Sequence, residues 1–301
     1  MTLPVATLGR TGVTVSRLGY GAMELHSRQL DARAVDRLLN TVLDAGISII
    51  DTAPDYGASE EHLGRAVGRR RGDYFLASKC GCPVGGLVGE SGPVTTEHDF
   101  SRVNIRAAVE QSLARLRTSY LDLVQFHSSP SPATLAAEDA VAELLALRDA
   151  GKVRFLGMSG VLPQLRDHIA MGVFDVFQIP YSAVERDHEQ VISEAGGAGA
   201  GIIIRGGVGR GLPDPPPGLP ERWQETLRRR KRRFEQADLS DLLDDMTPMQ
   251  FLLRFTLSHP DLDTTIVGTK NPDHLAANIA AAERGPLPSD VYAAARQRFP
   301  S

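Results

Sequence analysis

Short apolar runs alternate with longer amphipathic stretches along this chain, and that alternation constrains its fold more than any other feature. Apolar runs at 17–21, 48–50, 74–78, 121–126, 153–158, 173–179, 201–204 and 264–267 read as strands. Between and after them, helical periodicity marks 32–45, 59–68, 103–116, 133–150, 162–171, 186–195, 249–258, 272–283 and 289–298. Asp31 precedes the first helical stretch as a cap and Gly46 closes it, while Gly151 closes the stretch at 133–150. The strands are apolar on both faces, as parallel strands covered by helices are. Eight such units in 301 residues predict one (β/α)₈ TIM barrel over 1–301. A doubly wound sheet would open with a Gly-rich turn running straight into a helix. The stretch GYGAMEL at 19–25 does neither.

Two segments stand outside the alternation. ATLGRTGVTVSRLG, ahead of the first barrel strand, carries a Thr11-Gly12 turn between alternating residues and predicts a β-hairpin plugging the barrel floor. Residues 212–247 form an insertion after the seventh barrel strand. Its Pro-rich start excludes a strand and reads as an extended loop, a candidate lid. The basic run at 228–233 is either a nucleic-acid patch or a solvated helix face neutralised by Glu235, Asp238, Asp241, Asp244 and Asp245. The second reading is favoured, because the formal net charge is −4 and six local charges give nucleic acid little hold. No 18-residue apolar run is present, and the N-terminus lacks an apolar segment behind a basic start. A soluble, cytoplasmic protein without membrane or nucleic-acid partners is therefore expected. Cys80 and Cys82, one residue apart, are too close for an easy disulfide and too few for a zinc site, so reduced thiols and no metal are expected. Oligomeric state cannot be read from the sequence.

Barrels of this kind carry their chemistry at the C-terminal ends of the strands. The second strand ends in Asp51, with Tyr56 in the loop beyond it; the third ends in Lys79; the fourth ends in His127. Singly, each has an ordinary reading: a turn cap, a packed aromatic, a surface amine, a core histidine. Jointly they place four ionisable groups on one rim. A phenol is a sluggish acid near neutrality, an adjacent ammonium lowers its pKa, a buried ammonium needs a carboxylate, and an imidazole can hold a substrate oxygen beside the phenol. The set suits proton transfer to a carbonyl or alcohol oxygen. A barrel hydrolase would need a metal cluster or carboxylate pair at the rim, and the sequence reveals neither.

The blocks DAGISIIDTAPDYGASEEHLGRAVG, FLASKCG and YLDLVQFH resemble the aldo-keto reductase family, and the resemblance extends from ATLGRTGVTVSRLGYGAM to TTIVGTKNPDHLAANIAAA. It implies a nicotinamide cofactor on a barrel without a Rossmann domain, a small carbonyl substrate, Tyr56 as proton donor, Lys79 and Asp51 as its partners, and His127 as the orienting group. It also implies cofactor contacts from Gly21, Ala22, Met23, Asp51, Ser159 and Gln178. Arg205 occupies the position where the family commonly places an aromatic ring against the nicotinamide, and a guanidinium plane can lie there too. Gly206, Gly207 and Gly209 would let backbone amides approach the pyrophosphate, or simply form a flexible loop. In GTKNPDHLAAN, Gly268 and His274 stand where many members have the lysine and arginine that grip a 2′-phosphate. Thr269 and Lys270, next to a helix N-terminus, favour NADP, with NAD as the alternative, and the resemblance implies a further cofactor contact from Asn278. The function expected is carbonyl reduction by NAD(P)H; the rival is a non-catalytic cofactor-binding regulatory subunit on the same barrel.

Overall fold

The computed structural model describes residues 2–84, 97–212, 214 and 221–299. Eight parallel strands close into a barrel: β3 (Leu18–Gly21), β4 (Ile49–Asp51), β5 (Phe75–Cys80), β6 (Leu121–His127), β7 (Val153–Ser159), β8 (Val176–Pro180), β9 (Gly201–Arg205) and β10 (Thr264–Val267), with β10 paired to both β9 and β3. Ahead of them, β1 (Val5–Thr7) and β2 (Thr14–Ser16) form the expected antiparallel hairpin. Leu8 and Val15 from the hairpin are fully buried against Ile49, Phe75, Ala77, Leu123, Val176 and Ile203, the inward residues at the base of the strands. Apolar side chains therefore seal that end, and the polar inward residues are left at the other.

Outside the strands lie α1 (Ala32–Asp44), α2 (Ser59–Ala66), α3 (Arg102–Leu116), α4 (Pro132–Ala137), α5 (Ala140–Asp149), α6 (Leu165–Met171), α7 (Glu189–Gly197), α8 (Glu221–Gln236), α9 (Pro248–Leu257), α10 (Pro272–Glu283) and α11 (Ser289–Arg298). In α1, Val35, Leu38, Leu39, Val42 and Leu43 make the buried stripe, and the Asp31 side chain caps the helix by accepting from the Ala34 amide.

Two expectations change. The single helix expected at 133–150 is two, because Asp139 takes a left-handed backbone (φ 49°) between α4 and α5. An aspartate tolerates that conformation better than most residues. In the insertion, the basic run beyond the Pro-rich start lies on the four-turn helix α8, in line with the favoured helix-face reading. Its basic run is neutralised, but mainly by partners other than those expected. Arg228 pairs with Glu221, Arg229 and Arg230 with Glu185, Lys231 with Asp214, and Arg232 with Glu225, while Arg233 donates to the Val184 carbonyl. Of the five acids named from the sequence, Asp241 and Asp245 pair instead with Arg298 and Arg284. The lid reading falls partly outside the described residues, at 213 and 215–220, as does 85–96 of the loop after β5. No helix among the described residues is long and apolar enough to cross a membrane.

Candidate active site

Strand register assembles the site. Lys79 lies opposite Gln125 across β5 and β6, His127 opposite Ser159 across β6 and β7, and Ser159 opposite Gln178 across β7 and β8. With Asp51 at the end of β4, these side chains form a polar belt above the apolar base. Asp51 and Lys79 are each 1 % exposed. Lys79 Nζ donates to Asp51 Oδ2 at 2.7 Å and to the Thr52 carbonyl at 2.8 Å. Asp51 Oδ1 accepts from Gln125 Nε2 at 3.0 Å and from Gln178 Nε2 at 2.8 Å. Ser159 Oγ donates to Gln178 Oε1 at 3.1 Å. A buried charge pair is supported when its remaining atoms are also hydrogen-bonded, and here both Asp51 oxygens accept.

The loop carrying Tyr56 is pinned at both ends. The Thr52 amide donates to the Ala77 carbonyl, the Thr52 and Ser59 hydroxyls share a hydrogen bond, and Ser59 Oγ donates to the Ala22 carbonyl. Gly57 completes the turn with φ 59°, where a Cβ would lie 2.2 Å from the His26 carbonyl oxygen. The Tyr56 ring consequently sits over Lys79, whose Nζ is 4.9 Å from the ring centroid, and meets the His127 ring edge-on at 6.2 Å.

The electrostatics refine the sequence argument. Burial pushes the Tyr56 phenol above its ordinary value, and Lys79 only partly offsets this. The lysine acts in the expected direction, but the phenol is not brought below its ordinary range. It holds its proton at neutral pH, as a donor must. Burial also opposes the charge on Lys79, yet Asp51 and Tyr56 more than compensate and the ammonium is stabilised. Burial, with Lys79, His98 and Arg205 nearby, drives His127 well below its usual value, so the imidazole is neutral.

The other expected residues lie at or just after the C-terminal ends of β3, β9 and β10 or, for His274 and Asn278, within α10. Arg205 ends β9; burial lowers its pKa, and its Nε is buried without a hydrogen-bond partner. Gly206 faces open space with φ 73°, whereas Gly207 packs against Thr256 and Thr265. Gly268 has a structural reason to replace lysine: a Cβ there would lie 2.6 Å from the Gly21 carbonyl oxygen. Ala22 is buried and Met23 half-buried in the turn after β3. Thr269 is buried and held through its carbonyl by the Tyr20 hydroxyl, while Lys270 is exposed and lines a small cleft with Asp31 and Leu25. Asn278 is buried and His274 exposed. Gln125 was missed from the sequence, although it lies two residues before His127 and so on the same strand face. Asp55, Cys82 and His98 were missed as well; all three come close to His127.

A closed parallel barrel whose rim buries a Lys–Asp pair beneath a tyrosine, with a neutral histidine alongside, is equipped for proton transfer at that rim. The chain belongs to the aldo/keto reductase family, whose model matches residues 17–297. It resembles the solved structure of the aldo-keto reductase AKR11C1 from Bacillus halodurans, holo form, with a TM-score of 0.82 and 28 % identity, covering 99 % of this chain and 97 % of that one. The uncharacterized oxidoreductase YqkF of Bacillus subtilis is 25 % identical over 91 % of this chain and 90 % of its own. The NADH-specific methylglyoxal reductase of Escherichia coli is 32 % identical over 60 % of each chain.

Proposed function

We propose that this protein reduces an aldehyde or ketone to an alcohol with NAD(P)H, and that Tyr56 gives the proton. The observation that carries the reading is the buried Lys79–Asp51 pair beneath the Tyr56 ring. Two acceptors, Asp51 Oδ2 and the Thr52 carbonyl, hold the ammonium in place, and the ammonium stabilises charge as it develops on the phenol oxygen. Neutral His127 orients the substrate oxygen by hydrogen bonding. A non-catalytic subunit would have no need of a proton donor supported in this way.

A nicotinamide supplies the hydride when bound. Ser159 and Gln178 would hold its carboxamide end. The Gln178 amide is already oriented by Ser159 and Asp51. Arg205, with a buried N–H lacking a partner, fits the neighbouring face of the same ligand. The Gly21–Gly268 approach leaves a side-chain-free rim between β3 and β10. Lys270 beside the start of α10 favours a 2′-phosphate, hence NADP. The NADH-specific relative and the absence of a lysine at 268 keep NAD as the alternative. We further assign α8 a covering role over bound cofactor, because Arg230 and Arg233 tie it to residues 184–185 beyond β8, at the catalytic end of the barrel.

Tyr56→Phe tests the assignment. The ring and its packing remain while the proton is lost. NADPH affinity, followed by fluorescence, should barely change, and kcat toward an aldehyde should fall by about 10²–10⁴-fold. Near-normal turnover in this variant would remove Tyr56 as the donor and make His127 the acid to test.

A further inference from the structure

We propose that Asp55, Cys82, His98 and His127 bind a divalent transition metal of zinc's class at the mouth of the barrel. One ligand atom from each of the four lies within 4.8 Å of all the others. Cys82 Sγ is 3.4 Å from His127 Nδ1 and 4.0 Å from His98 Nε2, and His127 Nδ1 is 3.5 Å from Asp55 Oδ2. Tetrahedral bonds of about 2.0–2.3 Å put ligand atoms roughly 3.3–3.6 Å apart, so only a small contraction closes the shell. The donors come from three places in the chain: the loop after β4, the two ends of the loop after β5, and the end of β6. That dispersion explains why two cysteines alone looked too few.

The donors are held in position by their surroundings. Buried Asn104 donates to the carbonyls of both Cys82 and Asp99, and its side-chain oxygen accepts from the Val84 amide. The Asp99 amide donates to the Gly81 carbonyl. The two ends of the loop are thereby fastened together beside the cluster. The His98 ring stacks on Phe100 at 5.9 Å, and its Nε2 is also 3.4 Å from Ser128 Oγ. Asp55 Oδ1 is buried without a hydrogen-bond partner. A carboxylate oxygen left in that condition costs stability unless something takes it up.

The charge count favours a dication. Binding replaces the Cys82 S–H bond with a metal–thiolate bond and releases that proton to solvent. One thiolate and one carboxylate then balance the metal's two positive charges, and two imidazoles complete the shell. The nearby Lys79 ammonium is already matched by Asp51. A mixed sulfur, nitrogen and oxygen set suits zinc rather than magnesium or calcium. Four protein donors leave no open position, so the metal would position groups rather than activate water. Bound through Nδ1, His127 would keep its proton on Nε2, which makes no hydrogen bond among the described residues. This links the metal to the hydrogen-bonding role given to His127 above, but its detection does not depend on that role.

The test is spectroscopic. Full-length protein, stripped with a chelator, is titrated with Co²⁺. The expected result is a saturable one-to-one complex with a near-ultraviolet cobalt–thiolate charge-transfer band and the visible bands of a tetrahedral ion, both abolished by Zn²⁺. Cys82→Ser should lose the charge-transfer band, and Cys80→Ser should keep it. His98→Asn, at a half-buried loop position that can change without loss of the core, should weaken Co²⁺ binding by at least about tenfold. No thiolate band in the parent, a band that survives Cys82→Ser, or unchanged affinity in His98→Asn would each overturn the assignment. Retained NADPH binding in the stripped protein would separate failure of the metal site from failure of the reductase reading.

Discussion

Replacing Asp51 by asparagine should unfold the site from within, and its cost can be worked from the contacts. The carboxylate offers two oxygens to three donors: Lys79 on Oδ2, and Gln125 and Gln178 on Oδ1. Asparagine offers one oxygen, and its amide would face donors. At least one buried donor is left unmade, at about 1–3 kcal/mol, and the buried ammonium keeps only the Thr52 carbonyl. Removing one member of a buried pair costs about 3–5 kcal/mol. At roughly 2 °C per kcal/mol for a large domain, Tm should fall by about 6–10 °C. Lys79→Met should cost less, because Asp51 retains its two amide donors. The double variant removes both charges, so its Tm should lie near that of the worse single variant, with a coupling of about 2–3 kcal/mol. Thermal or urea unfolding of the four proteins measures the cycle without any substrate. Additive losses, or an Asp51→Asn variant within about 1 kcal/mol of the parent, would refute the account of a mutually dependent pair.

Three further outcomes follow. NADPH should bind more tightly than NADH by about 1–2 kcal/mol through a charge-assisted contact to Lys270, and Lys270→Ala should remove the difference; equal dissociation constants at low salt would count against NADP. Bound NADPH should slow tryptic cutting within 228–233, whereas Glu185→Gln, which removes the partner of Arg229 and Arg230, should speed it; unchanged cutting on NADPH binding would argue against a cover. Burial raises the Glu60 pKa above 4.5, so the folded state holds this proton more tightly than the unfolded chain does. That contribution is complete below the unfolded value and lost as pH rises through the folded one. Glu60→Gln should therefore be better tolerated, relative to the parent, at neutral pH than at acid pH, and denaturation at both pH values would check the sign.

Much of the site was legible because a parallel barrel ends its apolar strands abruptly. Asp51, Lys79 and His127 stand out as ionisable residues closing apolar runs, and Tyr56 follows in a Pro/Gly loop. Gln125 was equally accessible through its two-residue spacing from His127, but it sits inside a run read as uniformly apolar. The basic face of α8 was legible as helical, but the extent of the helix was obscured by its composition. Leu227 is its buried apolar anchor, and Phe234 packs only partly against the core, so a stripe of charges obscures the helical period. The acids that pair with its basic run, Glu185 and Asp214, are remote in sequence or set in a Pro-rich stretch. The reason for Gly268 was likewise invisible, because it depends on the separation of β3 and β10 rather than on either segment. The grouping of Asp55, Cys82 and His98 around His127 depends on the folding of a loop whose ends meet through Asn104.

The same ion pairs bear on Arg205. Glu185 is one of the acids whose field favours the charged form of this guanidinium. But Glu185 already accepts from Arg229 and Arg230, at 3.4 and 2.6 Å. The insertion helix thus engages an acid whose field reaches Arg205. Arg230 adds a like charge that works against Arg205, and the Arg205 Nε is left buried and unpartnered beside Tyr56 and Asp51. A buried cation with an unmade hydrogen bond gains most from a ligand that brings an acceptor or a π face to it. On this reading α8 has two effects with one cause. Its arginines hold it to Glu185, and Arg230 among them adds a like charge beside Arg205, which favours a ligand that brings an acceptor or a π face to that guanidinium.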